Sequence, residues 1–171
     1  GVSSTTGGGI RFLKDLIVNY SVKILLQRII YIDSLRCQLN EIALKSLGIN
    51  NPCPYITLEI KDQTNSIKQT YEIENSFNAE WKTIIHFYKL FKDREKEILV
   101  VNLFHKSPKG DVRLIDPIEI PIKDCSKKII TIKQELSLKT GFFSKKSIGY
   151  ISFKINFEDV PSQYNKFTLP N

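Results

Sequence analysis

Cysteine, histidine and long apolar runs are all scarce in this sequence, and each scarcity closes off a class of function. Its 171 residues include three cysteines, Cys37, Cys53 and Cys125, and two histidines, His86 and His105. An odd set of widely spaced cysteines without a Cys-x-x-Cys pair supports neither a disulfide framework nor a zinc cluster, and points to a reducing compartment. There is no His-Glu-x-x-His, no Gly-x-Ser-x-Gly and no phosphate-binding glycine loop; the segment from Ser107 to Asp111 holds Lys and Gly without the P-loop spacing. His105 ends a strand-like run beside Lys106, and no Ser, Cys or carboxylate is placed by sequence to form a triad with it. His86 alternates with Ile84 and Tyr88, the pattern of a partly buried structural histidine. No metal, no cofactor and no enzymatic activity are therefore expected. No apolar run approaches the roughly 18 residues that a membrane-spanning helix needs.

What is present is a globular composition, 42% hydrophobic and 11% aromatic, enough for one core and unlike a disordered chain. Lys and Arg number 25 against 18 Asp and Glu, a formal charge of +7. Eight lysines between Lys123 and Lys154 face only Asp124 and Glu135, so six of the seven excess charges lie in that stretch. A basic patch of this kind serves nucleic acid, anionic membrane or acidic proteins, or is simply solvated. Nucleic acid is not expected, because the exposed strand positions offer acids and threonine rather than aromatics on which bases stack.

Residues 1–9 are small, polar and glycine-rich, the composition of a flexible linker. Ile10, Leu13, Leu16 and Ile17 recur at helical spacing, which predicts a short N-terminal helix over 10–21. From Val22 the pattern becomes short β-branched and aromatic runs between Asn, Asp, Gly, Pro and Ser clusters. Eight such runs, at about 22–32, 55–61, 66–73, 81–90, 97–105, 114–122, 129–138 and 149–157, predict an antiparallel sandwich or barrel, followed by a tail over 160–171. Ile56, Leu58 and Ile60 alternate with polar residues, as do Leu99, Val101 and Leu103, Ile118, Ile120 and Ile122, and Ile151, Phe153, Ile155 and Phe157. Each set reads as one core-facing stripe. Between the first two runs, Leu35, Leu39, Ile42, Ala43 and Leu47 recur at helical spacing and Gly48 stands at a C-cap position, predicting a helical insertion within 33–54.

Over Val22 to Asp159 the chain resembles a C2 domain. SVKILLQRIIYIDSL is similar to the family's opening strand, and PCPYITLEI stands where the family has Ser-Asp-Pro-Tyr-Val and a strand. IENSFNAEWKTIIHF resembles the Asn-Thr-Leu-Asn-Pro-x-Trp segment, keeping Asn78 and Trp81 but lacking the proline. ILVVNLFHKS and SIGYISFKINF are similar to two later strands of the family. The order of these segments resembles the phospholipase-type arrangement of strands, and the resemblance implies an eight-stranded antiparallel Greek-key β-sandwich spanning 22–159.

The resemblance implies a module that binds phospholipid, with no catalysis of its own. In the family, calcium is held by loop aspartates, but the matching positions here are Cys53, His105 and Ser107. Asp33 and Asp111 are the acids left in those loops, beside Lys106, Lys109 and Arg113, and calcium needs six to eight oxygen ligands. Calcium-independent binding is expected.

Alternating strands bring the connections 33–54, 75–79, 106–113 and 139–147 to one end. That end collects Lys106, Lys109, Arg113, Lys139, Lys145 and Lys146 around Phe142 and Phe143, the expected lipid-binding set. The two phenylalanines either point to solvent as an anchor, or cover the open end of the sandwich or touch the first-loop helix. A secondary headgroup site on the middle strands would use Lys61 and Lys68 near Tyr55 and Trp81, diluted by Glu59, Glu72 and Glu74. The leading functional expectation is a cytoplasmic module, peripheral on a membrane, that targets a larger trafficking or exocytic protein to anionic phospholipid. The competing expectation is a scaffold module whose helical insertion 33–54 takes a protein partner and which never meets lipid.

Overall fold

Period-two burial organises two antiparallel sheets in the computed structural model, which describes residues 26–63, 65–90, 97–122 and 129–161. The linker 1–9, the helix expected at 10–21 and Lys123, Lys127 and Lys128 of the basic stretch lie outside the described residues. The chain order is β1 (Leu26–Leu39), α1 (Glu41–Ser46), β2 (Pro54–Ile60), β3 (Lys68–Gln69), β4 (Asn78–Trp81), β5 (Ile85–Leu90), β6 (Ile98–His105), β7 (Val112–Arg113), β8 (Ile118–Pro121), β9 (Ile130–Lys139) and β10 (Lys145–Pro161). Among the described residues ten strands stand where eight were expected, because the run expected at 81–90 is broken between β4 and β5 and because β7 forms within the expected connection 106–113. One sheet runs β4-β1-β10-β9, with β5 beside β4 along the same side of β1; the other runs β3-β2-β6-β7, with β8 also on β6.

The predicted stripes meet between the sheets. Ile56, Leu58 and Ile60 of β2, Leu99, Val101 and Leu103 of β6, and Ile151, Phe153 and Ile155 of β10 are all buried. Each such side chain contributes about 1.5–3 kcal/mol relative to exposure. Ile118, Ile120 and Phe157 pack against this core half-buried, and Ile122 is fully inside it. Trp81 is 1% exposed and its indole N–H donates to the Tyr71 carbonyl oxygen at 2.7 Å, so a large apolar ring enters the core without an orphaned donor.

The start of the fold differs from the sequence expectation. The first strand does not stop near residue 32 but continues to Leu39 through a bulge between Asp33 and Arg36, where Ser34 takes φ +55°. Leu35 and Leu39 fit a helical spacing, yet Cys37 between them is also buried, and the three form a period-two stripe. The helix in the first connection is therefore only α1. Asn40 caps it by accepting from the Ala43 N–H at 3.0 Å, and Gly48, at φ +81°, ends it as expected. Asp33 consequently lies within β1, opposite Lys154, and not in a loop.

The last strand is also longer than expected, beginning at Lys145 and reaching Pro161, beyond the predicted boundary at 159. Gly149, at φ +146°, sits where the register with β9 shifts. A Cβ there would lie 1.9 Å from the Gln38 carbonyl oxygen, so glycine is what lets β1 and β10 close together at this end.

Candidate functional site

The loop-bearing end is one connected surface. The Leu39 N–H donates to the Phe77 carbonyl oxygen, Asn40 N–H to Ile148, Ser76 N–H to Pro52 and Lys106 N–H to Cys53, at 2.6 to 3.0 Å. These bonds tie the connections after β1, β3 and β6 to each other and to the start of β10, on the end that strand alternation assigns them.

Its most prominent feature is the β9–β10 hairpin. Thr140 N–H donates to the Ser144 carbonyl oxygen at 3.0 Å, and their hydroxyls lie 2.9 Å apart, closing a tight tip over Gly141, Phe142 and Phe143. Phe142 and Phe143 are fully exposed, at 101% and 102%, with ring centroids 6.3 Å apart. They neither cover the sandwich nor touch α1. Below them Lys139 stands directly opposite Lys145, both exposed and neither with a carboxylate partner among the described residues. Like charges directly across a ladder are unfavourable, so this rung is not there for stability.

The other predicted residues divide by partner. Lys146 is half-buried and donates to the Ser46 hydroxyl, joining the hairpin to α1. Lys106 pairs with Glu72 at 2.9 Å, which raises the lysine's pKa and lowers that of the glutamate. Arg113 lies over the Phe104 ring at 5.6 Å, and Lys109 is exposed. Lys139, Lys145, Lys109 and Arg113 thus remain without an acid among the described residues.

The secondary headgroup set does not assemble. Lys61 is held by Glu119 at 2.8 Å, Lys68 is exposed on β3, and Tyr55 and Trp81 are buried and unable to line a face. His86 also departs from expectation: it points outward, exposed, between Tyr31 and Tyr88, with its ring edge-on to Tyr88 at 5.1 Å. The stripe Ile84, His86, Tyr88 that reads as partly buried is the solvent side of β5, because Ile85 and Phe87 are the buried pair.

One apolar residue at this end was hidden in the sequence. Ile42 of α1 is 81% exposed, whereas the helical spacing placed it with the core residues. Only Ala43 and Leu44 of this helix are buried, because a helix of one and a half turns has no room for a full apolar stripe.

A family model, the C2 domain, matches residues 35–137, more than half of the chain. The chain belongs to the C2 domain family. Among solved structures, the first C2 domain (domain A) of plant extended synaptotagmin 1 is similar with a TM-score of 0.59 and 15% identity, over 79% of this chain and 95% of that one. Human GIVD cytosolic phospholipase A2 is similar with a TM-score of 0.57 and 12% identity over 80% of this C2 domain, which spans only 18% of the phospholipase chain. The second C2 domain (domain B) of BON1 is similar with a TM-score of 0.51 and 11% identity, over 81% of this chain and 94% of that one. At these identities the likeness is one of fold. No curated protein matches the sequence.

In this C2 domain the loop end carries polar groups that satisfy one another. The Cys53 N–H donates to His105 Nδ1 at 2.9 Å, which requires that nitrogen to be unprotonated, and burial lowers the histidine's pKa. The Tyr55 hydroxyl donates to Asp111 Oδ2 at 2.6 Å, and burial together with this bond pushes the phenol up to about 12. Asp111 is thus already engaged by Tyr55, and Glu72, which also lies near Cys53, is engaged by Lys106. Among the described residues no three His, Cys, Asp or Glu side chains converge, and no helix is long and apolar enough to cross a membrane.

Proposed function

We propose that this C2 domain docks peripherally on anionic membrane, without calcium, through its basic, Phe-tipped end, and serves as the targeting module of a larger cytoplasmic trafficking or exocytic protein. The observation that carries the reading is the pair Phe142 and Phe143, fully exposed above lysines that have no carboxylate among the described residues. An exposed apolar pair ringed by unneutralised cations suits an interface that is apolar beneath and anionic at its surface. Each Lys or Arg near such a surface contributes about 1 kcal/mol, and each Phe about 1.5–3 kcal/mol when fully buried. Partial burial of two rings with four cations gives weak, reversible attachment.

Co-sedimentation with phosphatidylserine vesicles tests this. Binding is expected to survive a chelator, to weaken with added salt and to fall with Phe142→Ala/Phe143→Ala. A large calcium-dependent gain, or indifference to those substitutions, overturns it. Asp111→Asn is expected to leave vesicle binding unchanged.

A second reading is favoured by Ile42, whose exposure on α1 offers a protein partner an apolar contact within the first-loop insertion. Absence of vesicle binding at physiological salt would select this scaffold role.

A further inference from the structure

The outermost strands of a sandwich offer unpaired backbone groups, and most such edges here are blunted. β3 and β7 are two residues long, β8 has four and ends in Pro121, and β4 is broken from β5, where Gln63 also donates to the Tyr88 carbonyl oxygen at 3.4 Å. β9 is different, with ten residues on the outer side of β10 and no strand beyond it among the described residues. Asp116 covers only its end: the Asp116 N–H donates to the Ser137 carbonyl oxygen at 3.0 Å, and the Lys139 N–H donates to Asp116 Oδ2 at 3.1 Å. These two bonds show that odd-numbered residues of β9 turn their backbone groups away from β10. By alternation Thr131, Lys133 and Glu135 do the same, and the N–H and C=O groups they turn outward have no partner among the described residues.

We propose that the edge from Ile130 to Leu136 docks an extended segment of a protein partner, which adds antiparallel to β9 as a further strand of the sheet. Lys133 and Glu135 are exposed on the outer face and have no ion-pair partner among the described residues. The segment therefore carries a carboxylate opposite Lys133 and an ammonium opposite Glu135. On the inner face Ile130 and Ile132 are half-buried, as are Ile118 and Ile120 of β8 on the facing sheet, so the alternate residues of the segment are apolar. A like charge at either rung rejects other strands, which lets this edge stay open without pairing at random.

The sequence of β9 itself carries that pattern. Laid antiparallel to a copy of itself about Gln134, Lys133 meets Glu135, while Ile130 and Ile132 meet Leu138 and Leu136. A second copy of the whole chain does not fit, because its Thr131 would come to the edge of Ser137, which Asp116 occupies. A free segment that stops opposite Leu136 avoids Asp116. The edge thus selects a short extended segment over another sandwich.

The test is fluorescence anisotropy of a labelled synthetic peptide with the sequence of residues 132–138, Ile-Lys-Gln-Glu-Leu-Ser-Leu, titrated with the whole chain. Saturable binding below about 1 mM is expected, and a peptide with its Lys and Glu exchanged should bind about tenfold more weakly. Lys133→Glu/Glu135→Lys in the protein should invert that preference, and both positions are exposed, so the fold is retained. N-methylation of the peptide at its Lys and Glu nitrogens, which face β9, should abolish binding, whereas N-methylation at its Gln, which faces away, should change it by less than about twofold. No saturation by about 1 mM, equal binding of the two peptides, or equal losses from the two methylations overturns the proposal. So does a concentration-dependent dimer of the whole chain that the peptide dissociates, which would give the edge to a second copy.

Discussion

Lysines on the second sheet and lysines on the β9–β10 hairpin live in different surroundings. Lys61 and Lys106 each sit against a carboxylate, Glu119 at 2.8 Å and Glu72 at 2.9 Å, and their charge is spent locally. Lys139 and Lys145 stand opposite each other below two exposed phenylalanines, with no acid partner among the described residues. A count of positive residues treats these four alike. Their partners separate them: a neutralised lysine adds little field outside the molecule, whereas an opposed pair costs stability and projects its charge outward.

The comparison can be broken most severely by removing the joint that holds the hairpin against β1. Gly149→Val drives a side chain into the Gln38 carbonyl oxygen at a backbone conformation that β-branched residues avoid. It is expected to cost about 3 kcal/mol or more of stability, measured by denaturant unfolding. Next, Phe142→Ala/Phe143→Ala should weaken vesicle binding about 100-fold while leaving the thermal midpoint in place, since the rings touch nothing in the core. Lys139→Gln/Lys145→Gln should weaken vesicle binding about 30-fold and hold or raise stability, because it removes both a membrane attraction and a cross-strand repulsion. The matched control, Lys61→Gln with Lys106→Gln, should change vesicle binding by less than about twofold and stability by about 1 kcal/mol or less. An equal loss of binding from the two pairs would erase the distinction.

The smallest effect near neutrality concerns the interior rather than the docking end. Burial pushes the Cys37 thiol up to about 12, and burial with the Asp111 bond pushes the Tyr55 phenol to about 12. Both groups hold their protons in the folded state after the unfolded chain has begun to lose them, from about pH 9 to 10 upward. Their contribution is therefore full at neutral pH and is lost as the pH rises towards 12. Cys37→Ala with Tyr55→Phe should flatten the alkaline fall of the unfolding midpoint.

The sandwich was legible because four of its strands alternate cleanly, and Ile56, Leu58 and Ile60 or Ile151, Phe153 and Ile155 admit one reading only. The hairpin tip was legible as well: its Phe pair stands between Gly141 and two lysines, and strand alternation alone places it at the loop end. Beyond those, period and length gave ambiguous signals. Leu35 and Leu39 are four apart and satisfy strand and helix equally, so the extension of β1 was hidden and Asp33 was assigned to a loop. Ile42 was counted with the core because a short helix mimics a longer amphipathic one. Pairing was invisible too: nothing local marks Lys106 as Glu72's partner, 34 residues away, or joins Lys61 to Glu119, 58 residues away. The register that sets Lys139 against Lys145 is likewise a property of the folded ladder.

The pairing of Leu26 with Pro161 at one end of β1 and β10, while Leu39 and Lys145 lie at the other, has an architectural result. Leu26 and Pro161 stand side by side, at the pole opposite the phenylalanines. A strand of 17 residues separates the two poles, on the order of 55 Å along the chain. The ladder between the poles therefore fixes how far Phe142 and Phe143 stand from Leu26 and Pro161, so a change in the bulges of β1 or β10 would tilt the tip relative to that pair.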